Sequence, residues 1–214
     1  MSLWTDLIRQ SISDDPPKAQ VLGIGGSPRK GGNSDLLLKQ IQKGVTQTGL
    51  RGDTLQLRDF QFQGCIGCEQ CRKQKICTGL KDGFSLVYPA IRQSQGLVLA
   101  CPTHNYNVTA WMKAFIDRLY CYYEFDDQRP RGWSSRLAGQ GRKAVLCAVC
   151  EQVHPRDMGF TLEAMRLPLE ALGYEIVGEL PVLGIFDRAG VRNHPDILAR
   201  AFALGSKLAQ SLAS

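Results

Sequence analysis

Apolar positions along the chain follow two rhythms. The runs "AQVLGIGG" (19–26), "GLVLAC" (96–101) and "RKAVLCAVC" (142–150) are nearly unbroken, as expected of strands buried on both faces. "GDTLQLRDF" (52–60) alternates like a strand, and "YEIVGELPVLGI" (174–185) supplies a fifth. Between them lie segments of helical period: 33–49, with Asn33 or Ser34 as cap, then 83–94 despite Pro89, 108–123, 160–173 with a kink expected at Pro168, and 194–212. Five strands interleaved with helices predict an α/β domain over 19–214, a parallel sheet covered on both faces, with an arm over 1–18 and a cysteine-rich loop over 62–82. Such a sheet places its ligand outside the carboxyl ends of the strands, where the connection order reverses. The loops leaving the first, third and fourth strands are therefore the ones to inspect.

At 214 residues, with no linker dividing it, the chain suits one domain, and 43% hydrophobic with 21% charged residues excludes a disordered or fibrous protein. The start "MSLWTDLIRQSISDDPPKAQ" lacks a basic region followed by an apolar run, and no later run reaches membrane-spanning length. A cytoplasmic protein with no membrane partner is expected, and there clustered cysteines read as metal ligands or redox thiols before disulfides. The net charge of +6 comes from Lys and Arg spread along the chain without a nucleic-acid motif, so no nucleic-acid partner is expected. A cationic surface around an anionic cofactor or a phosphorylated dinucleotide accounts for it.

The first loop, "GGSPRKGGNS" (25–34), joins a strand to a helix. Its glycines allow close backbone approach, its Ser and Asn offer donors, and the helix start favours an anion, so it reads as a phosphate cradle. It is neither a Walker A loop, lacking the closing Gly-Lys-Ser/Thr, nor a G-x-G-x-x-G turn.

Strand, "GSPRKGGNS" and helix together resemble the FMN-phosphate loop of the NADPH-dependent FMN reductase group in the flavodoxin-like superfamily, and "PTHNYNVTAWMKAFIDR" (102–118) resembles that group's second flavin loop and helix. The resemblance runs over roughly 19–185 and implies a flavodoxin-like, doubly wound sheet of order 2-1-3-4-5. It implies FMN held at its phosphate by Ser27, Arg29, Asn33 and Ser34, and at its ring by Pro102, Thr103, His104, Asn105, Tyr106 and Asn107. Pro102 ends strand pairing there, and the polar side chains suit a pyrimidine edge. NAD(P)H is the implied electron donor, a small molecule or protein the redox partner, and a homodimer or homotetramer the assembly. No catalytic side chain is implied, because the flavin carries the chemistry.

The third loop, "CAVCEQVHPRDMG" (147–159), has Glu151, Gln152 and His154 where relatives carry a glycine-rich turn, so flavin contacts are not expected from it. Cys147 and Cys150 straddle a strand end and read as small buried residues. Trp111, Phe115 and Leu119 share a helical face and are expected in the core. Tyr122, Tyr123, Phe125 and Trp133, around a long connection (124–141), either shield a flavin or form a subunit contact. The three histidines show no ligand spacing, and no serine sits in G-x-S-x-G.

"CIGCEQCRKQKIC" (65–77) holds four of the eight cysteines, Cys65, Cys68, Cys71 and Cys77, spaced C-x2-C-x2-C-x5-C. The spacing suits a loop wrapped around something. Zinc prefers two knuckles set farther apart, whereas three close thiolates and a fourth nearby follow iron-sulfur ligation. The same segment, followed by "KDGF", marks the iron-sulfur flavoproteins within the group, which implies a 4Fe-4S cluster exchanging electrons with FMN. Beside this stand a reductase whose cysteine loop is empty and a non-catalytic flavodoxin-like binding or regulatory protein.

Overall fold

The computed structural model describes residues 18–213. The expected arm lies outside them save for Lys18, which begins the first strand. Strands β1 (Lys18–Gly25), β2 (Arg51–Gln56), β3 (Ser94–Pro102), β6 (Lys143–Val149) and β7 (Glu175–Val182) form one sheet in the order β2-β1-β3-β6-β7, every pairing parallel. That is the expected 2-1-3-4-5. A short antiparallel pair, β4 (Tyr123–Phe125) and β5 (Trp133–Ser135), forms a separate hairpin.

Neighbouring residues along the central strands enter different cores. Leu22, Ile24, Leu97, Leu99, Ala144 and Leu146 face one core, while Val21, Val98, Ala100, Val145 and Cys147 face the other. Onto the first pack α3 (Val87–Gln93), α4 (Ala110–Arg118) and α5 (Thr161–Ala171), through Tyr88, Ile91, Met112, Phe115 and Met165. Onto the second pack α1 (Asn33–Gln47) and α6 (Pro195–Ala213), through Leu37, Ile41, Ala201 and Leu208.

Several predicted elements are shorter than their apolar pattern. The second strand stops at Gln56 because Leu57–Asp59 turn into a 3-10 segment that buries Leu57. The helix expected from 108 begins at Ala110, since the Thr109 hydroxyl accepts from the Met112 amide and caps it. Pro168 lies inside α5, and the helix continues beyond it to Ala171. Phe115 and Leu119 are core residues, but Trp111 faces solvent, a correction that follows from the helix's position on the outside of the sheet.

Helices α1 and α6 cross with almost no side chain between them. A methyl added at Gly205 would meet the Ile41 carbonyl, and one at Gly44 the Phe202 carbonyl. Gly205→Ala must therefore push the helices apart, and we expect a loss of about 1–3 kcal/mol, read as a fall in Tm. Gly64→Ala, whose methyl meets only that of Ala114, is the matched control. Equal melting of both variants and the parent would disprove the tight crossing.

Candidate functional site

Strand β1 ends at Gly25, and Gly26 extends its pairing by donating to the Ala100 carbonyl at 2.8 Å. A side chain on Gly26 would collide with Met112, so the backbone here runs directly against α4. The loop then turns on the buried Ser27, whose hydroxyl accepts from the Arg29 amide at 3.2 Å. Gly31 adopts φ +68°, and Gly32 leads into α1 packed against the Arg29 carbonyl and Cβ and near the Ser27 hydroxyl. The start of α1 thus opens beside a tight loop that carries hydroxyl and guanidinium donors, an arrangement that favours a phosphate.

A pair behind the loop fixes its shape. Asp35 accepts from the Gly31 amide at 2.8 Å and binds Arg58 at 2.7 Å, while Arg58 also donates to the Ser27 carbonyl at 3.0 Å. Both side chains are largely buried, and Arg58 neutralises the one carboxylate in the first turn of α1, which would otherwise repel an anion. Neither residue was singled out in the sequence, because their proximity arises from the parallel pairing of β1 with β2.

Opposite the loop, β3 delivers Pro102, Thr103 and His104. Ser27, Arg29, Asn33, Ser34, Pro102, Thr103 and His104 line one open cleft. Asn105, Tyr106 and Asn107 do not line it: His104 and Asn107 pair through their backbones, and Asn105 and Tyr106 form the two-residue turn with φ of +52° and +65°. Tyr106 is exposed, and its carbonyl accepts from the Phe160 amide at 2.8 Å. The Thr161 hydroxyl donates to the Met158 carbonyl at 2.7 Å and accepts from the Thr103 hydroxyl at 3.0 Å, so the start of α5 braces this loop.

Asn33 has a different place from a simple donor. Its amide nitrogen donates to the Asp187 carbonyl at 3.0 Å and its oxygen accepts from the Val191 amide at 3.1 Å. It staples the segment after β7 to the phosphate loop. Across the same junction the Arg29 guanidinium stacks on Phe186 at 4.6 Å. The far wall of the cleft is accordingly Val149, Glu151, Ile185, Phe186 and Arg188. Glu151 enters the cleft although its loop was not expected to contribute. No local pattern marks this wall, since it depends on which strands end side by side.

Cys147 and Cys150 are both buried, three residues apart, and enter opposite cores, so they cannot act as a dithiol pair. Burial pushes the Cys147 thiol up to about 12.

The cysteine segment leaves β2 and wraps a short helix, α2 (Cys71–Gln74). All four thiols are free. Cys71 is the inner one, half-buried, and burial together with the neighbouring Cys77, Cys65 and Cys68 pushes its thiol up to about 11. Positive φ at Gly67, Glu69 and Lys75 folds the chain back on itself, and a side chain at Gly79 would strike the Cys68 sulphur. Among the described residues no three His, Cys, Asp or Glu side chains close around a single metal ion. A polynuclear cluster holds its thiolates farther apart than one ion does, and four free thiols grouped around Cys71 fit that donor set.

Two attachments hold this segment. On the core side, the buried Arg118 binds Asp82 at 2.7 and 3.1 Å and the Gln63 carbonyl at 3.0 Å, clamping both ends of the loop to α4. On the outer side the β4–β5 hairpin contributes Lys75–Glu124, Arg131–Glu69 and Arg72–Asp127 ion pairs. Tyr122 is buried beneath it, while Tyr123, Phe125 and Trp133 cluster on the hairpin and none of the four lines the cleft.

Residues 19–148 match the family described as NADPH-dependent FMN reductase. An iron-sulfur flavoprotein of Archaeoglobus fulgidus is 32% identical over 195 residues, covering 91% of this chain and 81% of that one. An iron-sulfur flavoprotein of Methanocaldococcus jannaschii is 29% identical over 99 residues, and this match spans about half of that relative, 51%, and 46% of this chain. Among solved structures, a flavone reductase superposes with a TM-score of 0.67 at 13% identity, covering 91% of this chain and 63% of that one. The last likeness establishes the flavodoxin-like fold.

Proposed function

Because the chain belongs to the NADPH-dependent FMN reductase family, we propose that it is an FMN-dependent oxidoreductase of the iron-sulfur flavoprotein type, moving electrons between NAD(P)H or a ferredoxin-like donor and an acceptor. One observation carries the reading: the start of α1 and the Pro102–His104 edge of β3 line a single cleft. Ser27, Arg29 and the amides leading into α1 would hold the phosphate, and Pro102, Thr103 and His104 would line the ring. Bound FMN supplies the chemistry, accepting a hydride and releasing electrons singly. The chain's own task is to orient the ring and keep one edge open. Asn33 and the Asp35–Arg58 pair contribute by holding the phosphate loop in shape.

Cys65, Cys68, Cys71 and Cys77 would hold a 4Fe-4S cluster, with the Arg118–Asp82 clamp keeping the segment on α4. A homodimer or homotetramer in the cytoplasm is part of the proposal. It would cover the exposed Phe160 and Leu167, which flank one groove between α4 and α5. Protein prepared without oxygen should show flavin absorbance and about four irons and four sulfides per chain. Colourless protein that takes up no FMN would overturn the proposal, and flavin without iron would leave the cluster-free reductase.

Arg29 tests the phosphate end. Removing a charged partner of the phosphate by Arg29→Ala should weaken FMN binding about tenfold. Retention through dialysis equal to the parent's would confine Arg29 to its contact with Phe186.

A further inference from the structure

We propose that Arg188, carried on the segment between β7 and α6, is a second phosphate-binding residue of the flavin site and sets its preference for phosphorylated flavin over riboflavin. This deepens the FMN reading and rests on it.

The segment is built to hold one position. Gly184 donates to the Gln152 carbonyl at 3.1 Å, and Ile185 and Val191 are buried on either side of the exposed stretch. Asn33 grips it between, at Asp187 and Val191. The Gly190 amide donates to the Asp187 carbonyl at 2.9 Å, closing a tight turn with Arg188 at its corner. From there the guanidinium reaches across the cleft and donates to the Lys30 carbonyl at 2.6 Å. A methyl placed on Gly31 would lie 3.6 Å from its nitrogen. Arg188 therefore sits over the phosphate loop itself, although 158 residues separate it from Lys30.

Charge makes the position informative. Among the described residues Arg188 forms no ion pair, and neither do Arg29 and Lys30, while Asp35 is bound to Arg58. Three cations thus surround the start of α1 without a carboxylate partner. A guanidinium has five donors, and a single carbonyl leaves most of them available. Arg29 and Arg188 both stand where the loop meets the far wall, one on Phe186 and the other on the Lys30 carbonyl, so two forks are available to one phosphate dianion. Such a contact acts on the phosphate and is indifferent to the ring.

The test is titration of the full chain, freed of flavin, with FMN and separately with riboflavin, followed by flavin fluorescence, for the parent, Arg188→Gln and Arg188→Lys. The proposal expects Arg188→Gln to weaken FMN about tenfold, with the loss shrinking as salt is raised, to leave riboflavin affinity unchanged, and to be partly rescued by Lys. Equal losses for both flavins would overturn it by assigning Arg188 to the shape of the wall. Unchanged FMN affinity with a raised KM for NADPH but not NADH would also overturn it, placing the residue on the nucleotide donor. A parent that binds neither flavin defeats the FMN reading itself, a result distinct from any effect of the variant.

Discussion

Arg118→Met should cost about 3–5 kcal/mol of folding stability, read as a lower denaturation midpoint at an unchanged m-value. The Arg118 side chain is 1% exposed and Asp82 18%, so removing the cation leaves a mostly buried carboxylate without its partner. The same guanidinium donates to the Gln63 carbonyl and to the Tyr88 hydroxyl at 3.3 Å and lies over the Phe84 ring at 4.9 Å. A methionine restores packing volume but none of these polar contacts. Asp82→Asn in the same chain should recover part of the loss, because the stranded charge is then gone. If the two losses simply add, the residues are not coupled and the clamp has been misread.

Cys71→Ser should abolish the cluster and leave flavin binding intact. Cys71 lies among the other three sulphurs and, like Cys77, is partly withdrawn from solvent while Cys65 and Cys68 are exposed. Its proton is held tightly in the thiol form, and ligation must displace it. A serine keeps the shape but is a poor ligand for iron, so iron and sulfide per chain after anaerobic reconstitution should fall to background. Flavin absorbance should stay at the parent's level, since none of the segment's thiols lines the cleft. Cys147→Ala, in the opposite core, should retain its iron. Iron content in Cys71→Ser equal to the parent's would remove this residue from the ligand set.

The parts of this molecule that were legible in the sequence are those governed by local chemistry. Val21 to Ile24, Leu97 to Cys101 and Ala144 to Val149 declare themselves as strands because both faces of a parallel sheet are dry. The loop from Ser27 to Ser34 is visible because glycine, serine and a helix start have few other reasons to adjoin. What could not be read is whatever depends on distant segments meeting. Arg118 stood in a recognised motif, yet its partner Asp82 lies 36 residues earlier and the pairing needs α4 to lie against the loop. The far wall of the cleft, from Val149 to Arg188, is set by the order in which strands end along the sheet. Trp111 was misplaced because its helical face is apolar at Phe115 and Leu119 but reaches the surface one turn earlier.

The cleft has two sides drawn from different parts of the chain. The half made by Ser27 to Ser34 and Pro102 to His104 lies within the stretch shared with the family, whereas Val149, Glu151, Ile185, Phe186 and Arg188 lie past its end at residue 148. The two halves touch through Asn33, the Arg29–Phe186 stack, the Arg188–Lys30 contact and the bond from the Thr103 amide to the Val149 carbonyl. A substitution in the outer half that breaks the Asn33 contacts at Asp187 or Val191 would therefore disturb the phosphate loop as well. The outer wall is thus a buttress as well as a lining: any change made there must leave the turn from Asp187 to Val191 in place, or the loop facing it loses its support.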